Sequence, residues 1–164
     1  AALTESTLRM LSNTSVYPES ADYPNDGDGS DNDSLGLFQM RPQSGWGTVA
    51  ELMDTTYQAR AFYGGPTGPN YPSPRGLLDI PGWQQLDPGE AAQAVEVSAY
   101  PDRYQNYQPV AEAIVAALTR TTGGTGLGLA IVEKTVRRMG GKFGLGNSSS
   151  GGLSARIQLK QAPG

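Results

Sequence analysis

The stretch "DNDSLGLFQMRPQSGWG", Asp31–Gly47, decides how this chain is read. Within it "SLGLFQMRP" forms a short apolar segment in which Ser34 and Gln39 stand among Leu37, Phe38 and Met40. Upstream, "TSVYPESADYPNDGDGSDND" over residues 14–33 is rich in Pro, Gly, Asp and Ser and reads as a long surface loop. Before the loop, "AALTESTLRMLSN" puts Ala2, Leu3, Leu8 and Leu11 on one helical face, which predicts a helix ending near Asn13.

Downstream, "TVAELMDTTYQARAFYGG" predicts one amphipathic helix, with Thr48 as its cap, Glu51 completing a capping box and Gly64 after its end. A proline-stiffened loop follows. "DPGEAAQAVEVSAYPDRY" predicts a helix that starts after Asp87 and is interrupted before Pro101, and "QPVAEAIVAALTR" predicts another. After Arg120 glycines cluster, a basic helix "LGLAIVEKTVRRMG" begins, and "GKFGLGNSSSGGLSARIQLK" reads as two short strands around a Ser/Gly turn.

Composition removes whole classes of chemistry. With 12 Lys plus Arg against 16 Asp plus Glu there is no cationic face for nucleic acid. No cysteine and no histidine occur in the 164 residues. Disulfides, thiolate nucleophiles, imidazole bases and the common zinc sites are therefore excluded, and acid–base work falls to carboxylates. No apolar run reaches the roughly 18 residues that span a bilayer, and "AALTESTLRM" lacks the regions of a signal peptide. The acidic run offers Asp26, Asp28 and Ser30 at the first calcium-loop spacings, but Asp31 and Leu37 occupy the positions that need Gly and Glu. It reads as a solvated loop. Trp46 and Trp83 read as core aromatics rather than sugar platforms.

"TESTLRM" with Glu5, "DNDSLGLFQMRPQSGWG" with Ser34, Gly36 and Gln39, and "AYPDRY" with Tyr100 and Tyr104 occur in that order. Together they resemble the lysozyme-like superfamily, in particular lytic transglycosylase-type domains, over residues 1–118. The resemblance implies cleavage of peptidoglycan glycan strands, an extracellular or cell-wall location and no cofactor. It makes Glu5 the catalytic acid, with Ser34, Gln39, Tyr100 and Tyr104 binding substrate and Tyr100 the better placed to touch Glu5 or the sugar. A carboxyl with an ordinary pKa of about 4.3 must keep its proton near neutrality, which burial against Leu37, Phe38 and Met40 would favour. In the substrate-assisted scheme the sugar's acetamido oxygen is the internal nucleophile, whereas an inverting scheme would use Asp31 or Asp33 as base. Thr7 stands where the family usually has Gly, and with four residues ahead of Glu5 the first helix is expected to be a shortened form.

"GTGLGLAIV" and the text around it, residues 119–160, resemble the C-terminal end of the ATP-binding domain of sensor histidine kinases. In that setting Gly124, Gly126 and Gly128 would let backbone amides approach phosphates at a helix N-terminus. The other segments of an ATP site have no counterpart upstream, so the region reads as a remnant packing Leu127, Leu129, Ile131, Val132 and Val136. The fold class expected is α+β: a mainly helical lysozyme-like domain, residues 1–118, with a C-terminal helix plus β-hairpin appendage, residues 119–164. Such a join suggests a recombined, engineered or computationally generated chain, truncated at both resemblances. A nucleotide-binding fragment and a non-catalytic scaffold are the alternatives to an enzyme.

Overall fold

The computed structural model describes residues 1–119, 133, 136, 137, 141–147 and 153–158. The chain forms two compact units, Ala1–Gln105 and Asn106–Gly164, which divide ahead of the compositional break. The described residues are α+β in architecture, mainly helical, with one two-stranded antiparallel sheet among them.

In the first unit α1 spans Ala2–Ser6, α2 Val49–Leu52, α3 Thr55–Tyr63 and α4 Pro88–Glu96, with short 3₁₀ turns between them, and all but the last residue of α5, Arg103–Asn106, belongs to it. Leu35, Met40, Leu52, Met53, Ala61 and Met10 make its core, and Leu37, Phe38, Trp46 and Phe62 pack against them. α1 stops at Ser6, well short of Asn13, because Thr7 and Leu8 both adopt left-handed backbone (φ 55° and 61°). The residues beyond are claimed by the acidic loop. Asp26 accepts from Met10 N at 2.9 Å, Ser20 Oγ accepts from Asn13 N at 2.9 Å and Asp28 accepts from Thr14 N at 2.9 Å. Hydrogen bonds to distant residues thus replace the bonds that further helical turns would have made. The loop is consequently fastened to the chain it follows.

The helix predicted from Thr48 to Tyr63 is two helices. Thr48 and Glu51 form the capping box of α2, but Asp54 interrupts, accepting from Tyr57 N at 2.7 Å as the N-cap of α3. α4 has a second capping box, Asp87 with Glu90, and ends where Val97 turns left-handed at φ 50°.

In the second unit α6 spans Gln108–Thr119, with Val110 fully buried. Glu133, Val136 and Arg137 are helical, Val136 is fully buried, and Glu133 and Arg137 pair at 2.9 Å. β1, Lys142–Asn147, pairs with β2, Leu153–Gln158, in the register Phe143 to Ile157 and Leu145 to Ala155. Gly124, Gly126, Gly128, Leu127, Leu129, Ile131 and Val132 lie outside the described residues. Among the described residues no helix is long and apolar enough to cross a membrane.

Candidate active site

The turn after the acidic loop is built first. Leu35 and Met40 exchange backbone hydrogen bonds at 3.0 Å, closing Gly36–Gln39 into a tight loop with left-handed Gly36 (φ 74°) and Gln39 (φ 50°). A buried amide clamps it from α3: Gln58 Nε2 donates to Leu35 O at 2.8 Å and Leu52 O at 2.7 Å, while its Oε1 accepts from Phe38 N at 2.9 Å. A Cβ on Gly36 would lie 1.9 Å from Gln58 Nε2, so glycine there serves both the backbone angle and the clamp. Nothing in the sequence reading singled out Gln58. Its signal was its place one turn before Ala61 on the buried face of α3.

α1 is stapled to this turn by Ser6, whose Oγ donates to Leu37 O at 2.7 Å. Glu5, the preceding residue, keeps part of its surface in solvent. Its Oε1 accepts from the hydroxyl of Tyr104 on α5, at 2.5 Å and across ninety-nine residues of sequence. Tyr104, 4% exposed, is thus the tyrosine that meets Glu5. Tyr100, favoured on sequence grounds, is 60% exposed and lies under the Arg103 guanidinium, 4.2 Å from its ring centroid. The reason is the helix break itself: α5 begins at Arg103, after Pro101, and turns Tyr104 inward.

Burial pushes the Glu5 carboxyl above the ordinary range, Tyr104's hydrogen bond and the Ala1 amino and Arg103 charges pull the other way, and the Asp31 charge adds to the rise. With Oε1 occupied by a donor, Oε2 is the oxygen left to carry a transferable proton. Burial, followed by the bond to Glu5, drives Tyr104 far above a free phenol, so its hydroxyl stays a donor.

The other residues singled out divide by exposure. Gln39 is partly exposed, its Nε2 donating to Gly36 O at 2.8 Å. Ser34 is buried and offers a sugar little surface. Phe38 stacks on Phe62 at 4.7 Å and Met40 lies in the core. Leu37 is tied to α1 through its carbonyl. Asp33 is buried against Arg41 and Gln43, whereas Asp31 is exposed and accepts from Asn32 Nδ2 at 3.0 Å. Asp26 and Asp28 hold Met10 N and the Ser12 and Thr14 hydroxyls. Among the described residues no cluster of three acidic groups could hold a metal. Trp46 packs on the core, and Trp83 is partly buried. A depression of about 320 Å³ between Thr56, Arg60, Tyr63 and Thr67 carries no carboxylate in its lining and gives acid chemistry no seat.

Comparison with protein-family models and with curated proteins gave no match.

Proposed function

We propose that the first unit cleaves the glycan strands of peptidoglycan, as a lytic transglycosylase or muramidase, with Glu5 as its general acid. The observation that carries this reading is the Tyr104–Glu5 hydrogen bond, made by the residue next to Ser6, which holds Leu37 O. It fixes one oxygen of a carboxyl that burial inclines to stay protonated and leaves the other to face a leaving group. Glu5 passes its proton to the glycosidic oxygen as the C–O bond breaks, and the sugar's acetamido oxygen takes up the cationic carbon. Glu5, now a carboxylate, then accepts a proton from the hydroxyl that displaces this intermediate. An internal hydroxyl gives an anhydro-sugar, and water gives hydrolysis. Gln39, partly exposed, and Tyr100, exposed, offer an amide and an aromatic face to the sugar. Ser34 and Tyr104 act from behind as supports.

The test compares the native chain with Glu5→Gln on purified peptidoglycan, following turbidity and identifying product ends by mass spectrometry. Removal of a general acid should lower the rate by about 100-fold or more. Equal clearing by both proteins, or clearing by neither, would overturn the proposal.

A further inference from the structure

The depression along α3 has no part in the scheme above, and its walls are fixed. They come from Thr56, Ala59, Arg60 and Tyr63 of α3 and from the turn that follows, with Gly64, Thr67 and Gly68. Asp79 pins that turn from behind, its Oδ2 accepting from Gly65 N at 2.9 Å and Gly76 N at 3.0 Å, while Gly68 N donates to Gly65 O at 2.8 Å. A Cβ on Gly68 would lie 2.7 Å from the Gly64 backbone, so the turn closes on itself too tightly for a side chain there. The Tyr63 ring, 55% exposed, meets Phe62 edge-on at 5.7 Å, and Phe62 stacks on Phe38 at 4.7 Å against the core. A ligand would therefore not have to order its own site.

The one charge in the lining is positive. The Arg60 guanidinium reaches the turn, its Nη2 donating to Thr67 O at 3.5 Å, and among the described residues it pairs with no carboxylate. A cation suits the last turn of a helix. A partner for the helix dipole, however, needs no walled volume around it. At about 320 Å³ the depression stands at the small end of ligand pockets, and Thr56, Thr67 and Tyr63 bring hydroxyls that donate or accept.

We propose that this depression binds a small carboxylate, the acid group of a free organic acid or of a peptide C-terminus, held by the Arg60 guanidinium with its carbon portion against Tyr63. A guanidinium is a planar fork that meets the two oxygens of a carboxylate together. One such fork answers one negative charge, and on a chain of net charge −4 a phosphate dianion would be left half unanswered. The inference stands apart from the reading of Glu5.

The test is an NMR titration of the full chain, following the Arg60 Nε–H and the Gly65 and Gly68 amides. The probes are benzoate, N-acetyl-alanyl-alanine, the C-terminal amide of that dipeptide, and inorganic phosphate. At least one of the two acids should give saturable shifts in the millimolar range, with the amide weaker by about fivefold or more, the scale of an exposed charge pair. Binding of benzoate alone points to a free organic acid, and binding of the dipeptide alone to a peptide C-terminus. Arg60→Gln should weaken the bound acid by about fivefold, and Arg60→Lys should restore only part of that because an ammonium lacks the fork. Arg60 faces solvent, so both variants should keep the native amide spectrum. Absence of saturable shifts from either acid, an amide that binds as well as its acid, phosphate bound more tightly than both acids, or full affinity in Arg60→Gln would each overturn the proposal.

Discussion

Asp33 and Glu5 are two carboxyl groups drawn out of water in the same unit, and they are treated in opposite ways. Asp33 sits at the end of the acidic loop and is met by a full set of donors: the Arg41 guanidinium on Oδ1, Gln43 N at 3.0 Å and the Tyr17 hydroxyl at 3.5 Å on Oδ2. Burial pushes its carboxyl up, but Arg41 and the Gln43 amide more than reverse that and hold it below the usual range. Glu5 is given one neutral donor, Tyr104, and its burial outweighs that bond together with the Ala1 amino and Arg103 charges, so its carboxyl is raised. Burial is common to both, so burial alone does not make a proton donor. The difference is a guanidinium bonded directly to Asp33, where Glu5 meets only a phenol.

Substituting each group tests that difference, and the largest effect is expected at Asp33. Asp33→Asn leaves the Arg41 head without its counter-charge and weakens the fastening of the turn, which should lower stability at pH 7 by about 2 kcal/mol, toward the lower end for a buried pair because Arg41 is 43% exposed. The folded carboxyl is depressed, so its stabilisation is present above the ordinary carboxylate range and is lost as pH falls through the folded value. Urea unfolding of native and variant chains should show a gap that is full at pH 7 and narrows below about pH 4. An equal gap at all pH values would mean that the pair acts through shape rather than charge. Tyr104→Phe comes next, with a stability loss of about 1 kcal/mol for the missing hydrogen bond. Its sharper sign is in titration. Tyr104 favours the ionised form of Glu5, so its loss should move the Glu5 midpoint, and the basic limb of kcat/KM, to higher pH.

Much of this contrast was hidden from the sequence because it is made by partners far apart along the chain. α4 was legible from Asp87, Pro88 and Glu90, and the start of α2 from Thr48 and Glu51, since a cap is a bond between residues three apart. The β1–β2 hairpin was legible for a similar reason, its strands flanking a Ser/Gly turn. The end of α1 was not, because Asp26, Ser20 and Asp28 reach back to claim the backbone that helix periodicity assigned to further turns. Nor was Asp54 weighed against the apolar stripe that runs through it, although an aspartate before two threonines is itself a cap signal. At the site, Glu5 and the Ser34–Gln39 turn were visible as phrases. Gln58 and the choice of Tyr104 over Tyr100 were not. Glutamine on a helix reads as solvent-facing, and only tertiary packing turns it inward.

The smallest effect expected is also the one that most directly separates the two carboxyls, because its sign reverses. A folded carboxyl raised above its unfolded value binds more protons than the unfolded chain across the interval between the two, so stability falls as pH rises through that interval and stays lower above it. Glu5→Gln replaces the group by one that never ionises. The variant should match the native chain at pH 3 and exceed it at pH 8 by about 1 kcal/mol or less, a figure reduced because Glu5 keeps part of its surface in solvent. Asp33→Asn should do the reverse, matching at low pH and losing at high pH. If urea unfolding showed Glu5→Gln less stable than the native chain at pH 8, both carboxylates would be structural anions. Glu5 would then hold no proton in readiness, whatever the turbidity assay returned.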